Sequence, residues 1–357
     1  MKIRIGDFKT TPTMIDYVNE VLDSNRLTEG PFVDKVERKM EKFLNVKHAI
    51  AVTNGTVSLE LIGNMLRELH GPLNVCVPAL TFPATVNAFI NSGHNVTLCD
   101  VDETMNIDVS SMSEDELNDI DVLVPVHLMG YACDMDVITE YSNLYNWIVI
   151  EDCAEAFGAT FKDNKVGGIG EFGSFSFYVS HNISAGEMGL ITTNNDKCAK
   201  LLRSMKNHGR NSKSNLVFKH DYVGTNCKIT EFVAAICLAN MEEVDEILQT
   251  RLDNAKYYFD NVKNDKLEMF PINEGFSPLG YPIREKNGNI KEVCDLLNKN
   301  DIETREIFPC LANQNAYDFE NKYEIASILE KEVFYIGVHH LLSEEDKEKI
   351  VEVLNNY

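Results

Sequence analysis

The chain has 357 residues, 44% of them apolar and 25% charged, too apolar for disorder over its bulk. Its 33 Lys and Arg against 56 Asp and Glu leave a net charge of −23, which excludes charge-driven binding to nucleic acid or to an anionic membrane surface. A small phosphate-bearing ligand stays open, because backbone N–H groups and one or two local cations suffice to hold it.

Met14–Phe43 reads as two helices around the break from Asn25 to Pro31. His48–Thr53 is a short strand, and Asn54-Gly55-Thr56 opens a helix through Leu69. A strand at Leu73–Pro78, a helix at Phe82–Ser92 and strands at Asn95–Asp100 and Val122–His127 follow. The acidic run Ser113–Asp119 reads as a solvated helix face. Met135–Tyr145 is a helix and Trp147–Asp152 a strand. Gly173–Tyr178 and Gly189–Thr193 are two more strands, with a His- and Gly-bearing loop between them, and Cys198–His208 is a helix. Short, almost continuously apolar strands with helical crossovers predict an α/β fold, its mostly parallel sheet covered by helices. The long helical stretch Lys228–Val262 leads into a smaller C-terminal α/β part, with helices at Asn289–Asn300 and Ser343–Asn356. The length fits about two domains, expected as residues 1–245 and 246–357.

No apolar run reaches the roughly 18 residues of a membrane span, and the segment from Met1 to Asp7 lacks the apolar core of a secretory leader. A cytoplasmic protein is expected. The nine cysteines are scattered, without C-x-x-C or C-x-C spacing, and read as buried free thiols rather than metal ligands.

Four clusters stand at strand ends, where open α/β sheets bind ligands. At Thr53–Thr56 a helix start with Gly55 presents unpaired N–H groups to an anion; an ordinary cap is the plainer alternative. Phe82 is placed either to stack on a planar ligand or to join the core. Glu151 and Asp152 end an apolar strand, and a buried carboxylate there needs a cationic partner such as a pyridinium N–H; a helix cap is the alternative for Asp152. Ser176 stands near the end of one strand, and His181 and Gly186 lie in the loop ahead of Gly189, where a lone histidine also has a structural reading. His127 reads as structural. Arg210 divides between a helix-end cation and a contact to a substrate phosphate.

Together, in order and spacing, the clusters resemble the DegT/DnrJ/EryC1/StrS sugar aminotransferase/dehydratase family of fold-type I pyridoxal phosphate (PLP) enzymes, from about residue 5 to the C-terminus. The resemblance implies that residues 1–245 bind PLP, that the substrate is a nucleotide-linked 4-keto-6-deoxyhexose, and that the protein is a homodimer with shared active sites. It implies that Gly55, Thr56 and Ser176 hold the cofactor phosphate, that Phe82 stacks on the pyridine ring, and that Asp152 pairs with the ring nitrogen. Glu155 falls where the family often has Gln or His near the phenolic oxygen. Tyr222–Glu231 matches the family's G-x-N-x-[RK] stretch, so Asn226 reaches the phosphate in the partner's site. Lys228, Arg210, Phe308 and His339 are the residues expected at the substrate.

The departure is His181. In the family's aminotransferases this position is the lysine that binds the cofactor covalently, and an imidazole cannot do so. It moves a proton near neutral pH instead. The same Lys-to-His change marks the 3-dehydratase subgroup, which Thr304–Pro309 and Phe334–Leu341 also resemble. The leading expectation is C3 dehydration with pyridoxamine phosphate (PMP) as the working form. Glutamate then regenerates PMP, since no iron–sulfur cysteine pattern exists for the other route. The alternatives are a nucleotide 4-keto-sugar aminotransferase whose lysine has been replaced, and a non-catalytic PLP-binding homologue.

Overall fold

The computed structural model describes residues 2–211 and 218–357. Pro12 and Pro31 stand at the starts of α1 (Pro12–Ser24) and α2 (Pro31–Leu44), where a missing N–H breaks no helical bond. Asn25 and Asn45 close both helices in the left-handed conformation. The chain then alternates through β1 (His48–Val52), α3 (Gly55–His70), β2 (Asn74–Pro78), α4 (Pro83–Asn91), β3 (Asn95–Cys99), α5 (Glu114–Asn118), β4 (Val122–Leu123), α6 (Met135–Tyr145) and β5 (Ile148–Asp152). A short hairpin, β6 (Thr160–Phe161) and β7 (Asn164–Lys165), precedes β8 (Phe172–Ser176), β9 (Gly189–Thr193) and α7 (Asp196–Met205).

These strands form a seven-stranded sheet in the order β1-β9-β8-β5-β4-β2-β3. Only β9 runs against the others, so the C-terminal ends of β1, β2, β5 and β8 open on one side of the sheet. The mostly parallel α/β architecture expected from the sequence is present. Two details differ. The strand expected over Val122–His127 stops at Leu123 and resumes as a single bridge between Val126 and Asp152, because Pro125 has no N–H to give the ladder. The long helix expected over Lys228–Val262 is two, α8 (Glu231–Glu242) and α9 (Val244–Asn261), meeting at Glu243.

Beyond α9 lie β10 (Leu267–Met269), β11 (Gly280–Glu285), α10 (Ile290–Lys299), β12 (Thr304–Glu306), α11 (Glu324–Glu332), β13 (Val333–Gly337) and α12 (Glu344–Asn355). Their four strands pair antiparallel in the order β10-β11-β13-β12. One apolar core joins both sheets, from Ile50, Val77 and Phe89 through Tyr258 to Ile283 and Phe334, so the small sheet is held against the mouth of the large one. Among the described residues no helix is long and apolar enough to cross a membrane.

Candidate active site

A cavity of about 490 Å³ opens at those strand ends. Its floor begins with α3. The Asn54 side chain accepts from the Val57 N–H at 2.9 Å, and Gly55 and Thr56 at the helix tip line the cavity. A Cβ on Gly55 would come within 2.8 Å of the Ser176 Cβ, so only glycine lets the positive end of α3 and the Ser176 side chain share one cup. That cup has the chemistry of an anion site.

Along β5 the strand period sends neighbouring carboxylates to opposite sides. Glu151 turns inward and accepts the N–H groups of Gly167 at 2.7 Å, Ile169 at 2.8 Å and Gly170 at 2.7 Å, with the His127 Nε2 at 3.1 Å. His127 accepts the Cys133 N–H on Nδ1 at 3.0 Å, so its proton sits on Nε2 and its role is structural, as expected. Asp152 turns to the cavity, accepting from the Thr85 Oγ1 at 2.9 Å and the Ala154 N–H at 3.1 Å. Burial pushes its carboxyl up, and a ring N–H⁺ in the cavity is the partner that would return it to the charged form.

Glu155 lines the same cavity and accepts the Met129 N–H at 3.0 Å. Burial raises its carboxyl to about 8. Phe82 is 55% exposed, although large aromatics are usually buried. It forms a wall with Phe308, their centroids 5.4 Å apart, and a planar ring would cover that exposed face.

His181 sits in the loop between β8 and β9. Its Nδ1 lies 3.1 Å from the Ser176 carbonyl, which only accepts, so Nδ1 carries the proton and Nε2 is bare. The loop is pinned by Asn182, whose Nδ2 donates to the Ser277 carbonyl at 3.2 Å and the Pro278 carbonyl at 3.3 Å. Burial first, then the charges of Arg251 and Arg305, push the imidazole down to about 4. The ring is therefore a neutral base.

Gly55, Thr56, Phe82, Asp152, Glu155, Ser176, His181 and Phe308 thus meet in one cavity. Asn226, Lys228, Arg210 and His339 do not line it. Asn226 bridges Asn207, the Lys228 Nζ donates to the Asn207 Oδ1 at 2.8 Å, and Arg210 bridges His220. His339 is likewise placed outside the cavity of its own chain. Asn254 draws the chain past β13 inward, donating to the Val338 and His339 carbonyls at 3.2 Å each, and the His339 ring is buried away from the cavity. Arg305, Tyr335, Thr85, Tyr178 and Glu187 line the cavity and were not expected there. Arg305 and Tyr335 stand in the two stretches, Thr304–Pro309 and Phe334–Leu341, whose resemblance was noted, and that was the signal available for them.

The phosphate cup, the buried carboxylate aimed at the centre and the exposed aromatic wall fit a pyridoxal cofactor. A profile described as the DegT/DnrJ/EryC1/StrS aminotransferase family matches residues 9–355. GDP-perosamine synthase of Escherichia coli O157:H7 is 33% identical over 305 residues, covering 82% of this chain and 81% of that protein. A dTDP-3-amino-3,6-dideoxy-alpha-D-galactopyranose transaminase of Aneurinibacillus thermoaerophilus is 31% identical over 349 residues, covering 95% and 94%. A mutant of GDP-4-keto-6-deoxymannose-3-dehydratase, solved with bound GDP-perosamine, superposes with a TM-score of 0.93 at 25% identity, covering 99% of this chain and 100% of that one. Solved structures of this fold include PLP and PMP forms, and PLP/PMP is the cofactor of the group. The chain belongs to the DegT/DnrJ/EryC1/StrS aminotransferase family.

Proposed function

We propose that the protein uses PLP/PMP to act on a nucleotide-linked 4-keto-6-deoxyhexose, and that it removes the C3 hydroxyl. One observation supports dehydration over simple amino transfer. His181 stands at the family's lysine position, and among the described residues no lysine lines the cavity. When bound, the cofactor supplies an amine for the C4 ketone and a ring that accepts electrons. The chain's residues do the rest. Gly55, Thr56 and Ser176 hold the phosphate, Asp152 keeps the ring nitrogen protonated, and Phe82 covers the ring face. The bare Nε2 of His181 takes the proton whose loss lets the C3 hydroxyl leave. The nitrogen given to C4 is released as ammonia, and glutamate restores the amine and leaves as 2-oxoglutarate. Asn226, Lys228 and Arg210 serve the partner subunit's cavity in a homodimer. That they do not line the cavity of their own chain supports that role.

A second reading is amino transfer to the same class of keto sugar. The relatives' names favour it over dehydration: a perosamine synthase and a transaminase stand at 33% and 31% identity. By name, dehydration has the solved 3-dehydratase structures behind it.

The separating experiment is an absorption spectrum of the protein with PLP, then L-glutamate, then a GDP- or dTDP-linked 4-keto-6-deoxyhexose. A dehydratase shows a dialysable aldehyde form, conversion to the amine form with release of 2-oxoglutarate, and a keto-sugar product lighter by one oxygen atom. A product carrying nitrogen at C4 with its C3 hydroxyl intact establishes amino transfer. Cofactor fixed by borohydride to a lysine sinks the His181 reading, and no spectral change with glutamate marks a non-catalytic binder.

A further inference from the structure

Arg251 on α9 is a buried cation without an anionic partner among the described residues. It is 2% exposed, and its guanidinium is held by two carbonyls, Nε to Pro278 at 3.0 Å and Nη2 to Leu279 at 2.5 Å. Among the described residues it makes no ion pair with a carboxylate. Buried charges are ordinarily paired, so an unpaired one projects its field into its surroundings.

The structure shows where that field goes. A small void of about 20 Å³ has Arg251 and His181 in its wall, room for roughly one water. Leu279, whose carbonyl grips the guanidinium, lines the active cavity together with His181. Little solvent therefore separates the two groups, and a unit charge acts over several ångströms at low dielectric.

The other charges around His181 leave this cation dominant on its side. Arg305 faces the ring from the cavity and has the same sign. Lys9 adds a further positive charge at the void, and Asp7 opposes it but lies 3.5 Å from Arg4. Burial suppresses the charge of Glu155, the Asp152 carboxylate is offset by the ring N–H⁺ it faces when the cofactor is bound, and Glu187 is exposed. Within the loop Tyr178 meets the ring edge-on at 5.9 Å. His339 and His340, packed beyond Arg251, feel its charge too and are held low by burial, with Asp7 and Glu246 acting against that. Among the described residues both ring nitrogens of His339 and Nδ1 of His340 lack hydrogen-bond partners. Neutral histidines surround Arg251, and none neutralises it.

We propose that Arg251 is a positioning residue whose unpaired charge keeps the His181 imidazole unprotonated, so that Nε2 meets the reaction as a base. This rests on the reading of His181 as the proton acceptor.

The test is an NMR titration of the His181 ring in the full-length protein loaded with PMP, in the native chain and in Arg251→Gln, Arg251→Met and Arg251→Lys. Gln keeps donors for the two carbonyls and Met keeps the chain length, so two neutral replacements are available. The native ring is expected to hold its proton on Nδ1 and to stay neutral well below the ordinary histidine value of about 6.5. Either neutral variant is expected to raise the midpoint by about one unit or more, and Lys to bring it back. An unchanged midpoint in a folded neutral variant overturns the proposal, as does a native His181 charged at pH 7. The readout needs no sugar turnover. Failure with the keto sugar therefore counts against the functional reading alone.

Discussion

The His181 Nδ1 and the Ser176 carbonyl lie 3.1 Å apart, so the residue that gives its hydroxyl to the phosphate cup also decides, through its backbone, which histidine nitrogen faces the cavity. A covalent lysine needs no such orientation. A histidine acting as a base does, because only one tautomer offers Nε2. His181→Asn is expected to bind cofactor as the native chain does and to lose about 10²- to 10⁴-fold in turnover. Measuring cofactor affinity and rate on the same preparation checks this. A matching loss in both would make His181 a binding residue.

The pH profile follows from the same ring. His181 is held down to about 4. It is a base above that value and loses its free lone pair as pH falls through it. The acid limb of kcat/KM belongs near 4 and not near the ordinary histidine value of about 6.5. A limb at the ordinary value would show that the ring meets water in the working enzyme.

Glu155 gives a prediction of stability. Its carboxyl is raised to about 8 by burial, above its unfolded value of about 4.5. The folded state therefore binds the extra proton across that window. Stability is greatest below the unfolded value and declines as pH rises through the window to the folded one. Glu155→Gln keeps an acceptor for the Met129 N–H and removes the titration. In cofactor-free protein the variant should match the native chain near pH 4 and exceed it at pH 9 by on the order of a few kcal/mol. Thermal melts at both pH values decide it; parallel curves would mean that Glu155 is solvated.

The phosphate cup predicts a steric failure. Gly55→Val places a branched side chain where a single Cβ already stands 2.8 Å from Ser176. Cofactor affinity is expected to fall by about tenfold or more, with far-UV circular dichroism unchanged. Unaltered affinity would place the phosphate elsewhere.

Most of the large sheet was legible because its strands are apolar runs ended by chemistry-bearing residues. Gly55, Phe82, Asp152, Ser176 and His181 all follow such runs, which is why the core of the site could be read in chain order. Arg305 and Tyr335 could not be read that way. They meet the cavity through antiparallel pairing of β12 with β13, in which they stand directly opposite each other, and a register between distant segments leaves no local pattern. The hairpin β6–β7 has two residues per strand, too few to show a period of two. Helix α11 has no side-chain cap of its own. Asp100, from the end of β3, accepts the Ile325 N–H at 3.0 Å and the Ala326 N–H at 2.9 Å in its place. A borrowed cap cannot be seen in the sequence of the helix that uses it.

The start of α2 is capped in the same borrowed way. Gly30 offers no side chain, and Glu231, at the first turn of α8, accepts the Phe32 N–H at 2.8 Å on one oxygen and the Val33 N–H at 3.0 Å on the other. Glu231 is 2% exposed, so water cannot replace it. Glu231→Ala leaves two buried donors without a partner and is expected to destabilise the protein by about 2–5 kcal/mol. Gln retains one acceptor and should lose roughly half of that. Thr11→Ala at the start of α1, where the hydroxyl accepts the Met14 N–H at 3.2 Å in a half-exposed setting, should cost only about 1 kcal/mol. Urea midpoints at unchanged slope measure all three. Equal losses at Glu231 and Thr11 would show that the Glu231 carboxylate contributes no more than an ordinary helix cap. A larger loss at Glu231 ties α2 to α8, the helix that directly follows the Asn226–Lys228 segment proposed for the partner's site.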